Sequence, residues 1–208
     1  SSCQQAKELN DKFGDKLLVL SGVEVGELFW HPQYTQKLYS LYSYDVIIGS
    51  VHQVKHKYTD KPYAQIDFSK YTLDDIYEFL DIYFDDVKKL LATTDFDILA
   101  HLDYPVRKLQ GKIPDTSMLP YRELIEPVLE LLVQKNIALE INTRGTYDWQ
   151  NRVGPEDWVL QRYRELGGRH VTIGSDAHVT KYVGAGFAEA AAALKRTGFD
   201  SYTIYKDR

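Results

Sequence analysis

Short apolar runs alternate with stretches of helical periodicity along the whole chain. Residues 16–20 with 23–25, 45–52, 96–103, 137–143 and 171–176 read as strands, and 201–206 as a last short one. Helical spacing occupies 3–13, an amphipathic stretch at 37–44, the segment 72–91, about 120–135, a segment opening near Pro155 and closing at Gly167-Gly168, and 184–197 ahead of Gly198. The strongest of these follows Thr72. Leu73, Ile76, Phe79, Leu80, Tyr83, Val87, Leu90 and Leu91 recur on one face, and Asp75 stands three residues after Thr72 as a capping-box partner. Pro127 is expected to kink the helix that contains it. The loop with Trp30, His31 and Pro32, a polar excursion at 53–68, and a loop with Arg107, Lys108, Gly111 and Pro114 connect the elements.

Helix and strand alternate from end to end, which argues for βαβ crossovers and a parallel sheet. The strands are almost continuously apolar, as expected when both faces are covered. With 208 residues and no linker, the chain is expected to form one α/β domain over residues 1–208.

Composition narrows the function. The chain is 44% hydrophobic and 26% charged, an ordinary globular balance. A net charge of -5 without a basic run argues against nucleic acid as a partner. No apolar run approaches the roughly 18 residues needed to span a bilayer, so no membrane partner is expected. The single Cys3 allows neither an internal disulfide nor a cysteine-based zinc site, and the first residues are polar, so a cytoplasmic protein is expected. Sixteen tyrosines imply either aromatic packing or an interface, which leaves an oligomer open.

The polar residues at strand ends carry the chemistry. Glu24 ends the first strand and His52 the second; His101 and Asp103 end the third on one face; Glu140 and Asn142 lie on the fourth; Asp176 and His178 end the fifth, two residues apart on one face. Parallel strands in a βα barrel bring such ends together where these folds keep their active sites. Imidazoles and carboxylates without cysteine suit zinc, manganese or iron, and bridging carboxylates allow more than one ion. Such ions lower the pKa of a bound water and clamp the oxygens of a phosphate ester, so metal-assisted hydrolysis is the natural reaction class. Glu140 reads either as a ligand or as a satisfied buried acid. Asn142 reads as a substrate-binding group or a strand end, and Asp103 as a partner of a ligating imidazole or as structural.

Gly22-Val23-Glu24, Ile48-Gly49-Ser50-Val51-His52, Ile98-Leu99-Ala100-His101-Leu102-Asp103, Leu139-Glu140-Ile141-Asn142-Thr143 and Gly174-Ser175-Asp176-Ala177-His178 occur in an order that resembles the polymerase-and-histidinol-phosphatase (PHP) superfamily, and within it the histidinol-phosphate phosphatase branch. The resemblance covers about residues 17–185. It implies a distorted (β/α)7 TIM-like barrel holding up to three divalent metals, with Glu24, His52, His101, Asp176 and His178 as ligands and Glu24 bridging. It further implies a small phosphorylated substrate whose phosphorus is attacked in line by a metal-activated water. Asp176, His178 and Arg107 are then the catalytic candidates. Arg107 and Arg144, just beyond matching strand ends, are candidates for gripping phosphate oxygens bidentately.

The family opens with a His-x-His strand, followed by a second strand bearing another His. This chain has no His before His31, so the expected domain lacks the first two strands and is N-terminally truncated. The expected activity is histidinol-phosphate hydrolysis in histidine synthesis. The alternatives are another PHP phosphoesterase, acting on phosphotyrosine or a nucleotide, and a non-catalytic metal-binding module.

Overall fold

A computed structural model describes residues 2–57, 59–109, 116–149 and 151–208; Gly111 and Pro114 of the expected loop lie outside them. After α1 (Ser2–Phe13), β1 (Gly22–Gly26) leads through a single 3-10 turn and α2 (Pro32–Leu41) to β2 (Val46–Ser50). Next come α3 (Leu73–Thr93), β3 (Ile98–Leu99), the short α4 (Tyr104–Lys108) and α5 (Arg122–Lys135). The chain continues through β4 (Ala138–Asn142), α6 (Gly145–Asp148), α7 (Asp157–Glu165), β5 (Val171–Gly174) and α8 (Phe187–Thr197). The five strands form one parallel sheet in chain order, β1-β2-β3-β4-β5. Their C-terminal ends therefore share one edge of the molecule. No described helix is long and apolar enough to cross a membrane.

The apolar pattern explains the packing. Every residue of β4 is buried, as befits the middle of a sheet covered on both faces. On α3 the predicted stripe packs inward through Ile76, Phe79, Leu80, Tyr83, Val87, Leu90 and Leu91, whereas Leu73 is exposed at the helix start. The capping box is present: Thr72 accepts from the Asp75 amide, and Asp75 accepts from the Thr72 amide. Tyrosine serves the core. Tyr63, Tyr83 and Tyr163 are among the largest fully buried side chains, and the Tyr63 and Tyr163 hydroxyls donate to backbone carbonyls.

Four elements differ from the sequence pattern. Residues 16–20 form no strand: the Asn10 side-chain amide bonds both the N–H and the C=O of Val19, standing in for a strand partner, and Leu17 and Leu18 are exposed. Residues 201–206 form none either, although the Thr203 amide donates to the Val171 carbonyl. The third strand stops at Leu99, two residues before His101, because the His101 amide donates to the Glu140 carboxylate instead of to a neighbouring strand. The helix expected to open at Pro155 begins at Asp157. The Glu156 carboxylate there accepts from the Met118 amide and the Trp158 indole rather than capping its own helix.

Candidate metal and phosphate site

Side chains from three neighbouring strands converge at one point, although Glu24 lies within its strand rather than at the expected end. Glu24 is the middle residue of β1, His52 lies two residues beyond β2 and His101 two beyond β3. His101 Nε2 stands 3.1 Å from Glu24 Oε1. His52 Nε2 stands 3.4 Å from the same oxygen, and the two Nε2 atoms are 3.2 Å apart. Ligands held at about 2.0–2.1 Å from a tetrahedral zinc ion stand about 3.3 Å from one another. The triad therefore has the donor chemistry and the spacing of one face of such a site. Among the described residues these three are the group of His, Cys, Asp and Glu side chains whose donor atoms lie close enough to share an ion.

Both imidazoles of the triad are held from behind. The His52 amide and the Gln53 amide both donate to Glu27 Oε1, and Ser50 Oγ lies 3.3 Å from His52 Nδ1. The His101 amide donates to Glu140 Oε2 at 2.7 Å, and Asn142 Nδ2 donates to the same oxygen at 3.2 Å. The Tyr104 ring packs against both imidazoles, 4.8 Å from His52 and 5.1 Å from His101.

Burial and mutual charge set the protonation. Burial alone would raise the Glu24 carboxyl, but the hydrogen bond and charge of His101, helped by His52, bring it down to about 2. Burial, reinforced by the His101 charge, lowers His52 to about 4. His101 moves the other way: its burial is outweighed by the Glu24 hydrogen bond and the Glu140 charge, which raise it. Glu140, buried beneath them, is itself pushed up by desolvation. The triad thus sets one carboxylate held low against an imidazole held low and an imidazole held high. A divalent cation held here would need both imidazoles and the carboxylate in their deprotonated forms.

The triad opens into a cavity of about 510 Å³ whose wall also carries Arg107, Lys108, Arg144, Asp148, Asp176 and His178. Asp176 and His178 lie beyond the end of β5, and Asp176 adopts a left-handed conformation (φ 51°), so strand alternation does not place them on a common face. Asp176 faces two guanidinium groups, 3.5 Å from Arg144 and 3.8 Å from Arg107. His178 sits at the rim, 74% exposed, with Nδ1 3.3 Å from Arg144. Both therefore line the same cavity as the triad without joining its close cluster. Asn142 is 1% exposed and stands behind the wall, where its Oδ1 accepts from the Arg144 amide. Asp103 is bonded to Arg107 rather than to an imidazole.

Glu27, Tyr104, Lys108, Asp148 and Trp149 were not singled out from sequence as site residues. A second carboxylate three positions after Glu24 is the only sequence signal for Glu27, whose φ of 49° turns it back under His52. The remaining histidines lie apart from the triad. His56 is stacked on Phe79, His170 is bonded to Thr203, and His31 lines a separate apolar groove beside Trp30.

A parallel sheet that gathers two imidazoles and a carboxylate beside one cavity makes this an α/β domain with a candidate metal site. The PHP domain model matches residues 2–144, and the chain belongs to that family. It is 38% identical over 115 residues to a probable histidinol-phosphatase of Thermotoga maritima, an alignment covering 55% of this chain and 47% of that protein. The chain thus spans about half the length of that relative. It is 29% identical over 187 residues to a probable histidinol-phosphatase of Clostridium acetobutylicum, covering 88% of this chain and 69% of the other. The fold is similar to the crystal structure of histidinol phosphate phosphatase from Lactococcus lactis, solved with zinc, L-histidinol and phosphate. The TM-score is 0.79 at 24% identity, over 99% of this chain and 76% of that one.

Proposed function

We propose that the chain is the catalytic domain of a metal-dependent phosphomonoesterase acting on histidinol phosphate. The observation that carries this reading is the triad of Glu24, His52 and His101, spaced at 3.1–3.4 Å and opening onto a cavity with two inward arginines. The relatives named histidinol-phosphatase supply the substrate. Divalent metals, up to three of zinc, manganese or iron, would supply an activated water and Lewis-acid charge at the phosphoryl oxygens when bound. Glu24, His52 and His101 would hold them, with Asp176 and His178, which line the same cavity, as further candidate ligands. Arg107 and Arg144 bind the non-bridging phosphoryl oxygens and orient the ester for in-line attack. Asn142 supports the substrate through the Arg144 backbone.

The same reading extends to the fold. β1 and β5 are the outer strands of the five-stranded sheet, and their open edges are the places where a TIM-like PHP barrel would close.

Phosphate release from histidinol phosphate, with manganese or zinc added, tests the reading. Wild type is expected to turn over histidinol phosphate in preference to phosphotyrosine, and His101→Ala is expected to lose at least hundredfold in kcat/KM, as for other residues that hold a catalytic metal. Metal-stimulated turnover that survives the substitution would sink the proposed site. A preference for phosphotyrosine would move the substrate to another branch of the family.

A further inference from the structure

Asp103 is buried, charged and absent from the cavity wall, so none of the roles above uses it. It stands at the N-cap of α4, yet its side chain makes no capping bond. Its Oδ1 instead accepts from Arg107 Nη2 at 3.1 Å, four residues on, across a helix of only five residues. Arg107 is itself 7% exposed, and its other terminal nitrogen, Nη1, faces Asp176 across the cavity at 3.8 Å. Arg107 is thus gripped along one edge and presented along the other.

The surroundings are shaped for this grip. A Cβ at Gly154 would stand 2.2 Å from Asp103 Oδ2 and 2.6 Å from its Cγ, so the carboxylate occupies space that only glycine leaves. The Trp149 ring lies 5.7 Å from the Arg107 guanidinium carbon and confines it further. A buried guanidinium that loses its carboxylate must find another. For Arg107 the other carboxylate within 4 Å is Asp176.

We propose that Asp103 is the positioning residue for Arg107. It holds the guanidinium by Nη2 and so aims Nη1 into the cavity, where a phosphoryl oxygen of the substrate can take the place of Asp176 as its partner. This rests on the phosphate-binding role proposed for Arg107.

The test uses the full chain loaded with zinc. Binding of inorganic phosphate is followed by calorimetry and hydrolysis of histidinol phosphate by steady-state kinetics. Asp103→Asn keeps the shape of the side chain and removes its charge. The phosphate Kd and the KM are expected to rise about ten- to a hundredfold, the value of a charge-assisted hydrogen bond, with kcat changing less than KM. In an Arg107→Ala background the same substitution is expected to add less than twofold, which a general structural role would not produce. Gly154→Ala is the second variant; it displaces the carboxylate without removing its charge and is expected to shift KM in the same direction. Unchanged phosphate binding in both variants, or an equal loss with and without Arg107, overturns the role and leaves the phosphatase reading standing. A zinc-loaded wild type that binds no phosphate overturns both.

Discussion

Glu140 reaches His101 only because position 174 carries no side chain. A Cβ at Gly174 would stand 2.1 Å from Glu140 Oε1, and the other carboxylate oxygen is the acceptor for the His101 amide. Gly174→Ala is therefore expected to push Glu140 off that amide and to cost about 1–3 kcal/mol of stability, as overpacking of a filled interior does. Urea unfolding measures this, and a midpoint unmoved from wild type would show that Glu140 has room to retreat. At this scale the triad was legible because Glu24, His52 and His101 each interrupt or end an apolar run, and parallel strands gather such ends. The surroundings of the triad were not. Alternation stops where the chain turns, so the left-handed turn at Asp176 and the reversal at Glu27 carry no periodic signal. Nor does the spacing of Asp103 from His101 reveal that its carboxylate turns to Arg107, a choice fixed by the cleft at Gly154.

Periodicity identified the central elements because they bury most. The stripe of α3 and the continuous run of β4 leave few alternatives for where they pack. The errors fall at the margins. Residues 16–20 and 201–206 are apolar enough for strands, but the Asn10 side chain takes both backbone groups of Val19, and the C-terminal segment reaches the starts of the strands through single contacts such as Thr203 to Val171. Asp45 shows the principle. It precedes β2, and its Oδ2 accepts from the Ser21 amide and hydroxyl, while Oδ1 accepts from the Asp207 amide. One carboxylate thus ties the start of β1, the start of β2 and the C-terminal segment. The Ser21 amide bond, with that of Asp207, holds its pKa below the ordinary 3.8. The folded state binds this proton less tightly than the unfolded chain does. The stabilisation is therefore full above pH about 4 and is lost as the pH falls through the lowered value. Asp45→Asn is expected to destabilise the protein at pH 6, and the gap to wild type is expected to close as the pH falls toward 3. Urea midpoints measured across that range check this; a gap constant down to pH 3 would remove Asp45 from the acid response.

The molecule as a whole places its chemistry through one topological fact: all five strands run the same way, so their C-terminal ends share an edge. The sequence could announce this through the alternation of strand and helix, but not how closely the ends approach. The triad distances come from the sheet register, in which Glu24 pairs with Ile48 and Ile48 with Ile98, and from the two-residue extensions beyond β2 and β3. Because those extensions are tied by Glu27 and Glu140, the three ligand atoms are held together by the folded state and dispersed in the unfolded one. An ion that binds the former and not the latter must stabilise the fold. Free zinc at a hundred times its Kd adds about 2.7 kcal/mol, which for a chain of this size raises the melting temperature by about 5–10 °C. Scanning calorimetry with and without zinc is expected to show that rise in wild type and to lose most of it in His101→Ala, since two remaining donors on separate strands bind weakly. Chelator added to the zinc-loaded wild type is expected to reverse it. A rise of equal size in His101→Ala would place the zinc elsewhere on the molecule and separate the stabilising ion from the proposed catalytic one.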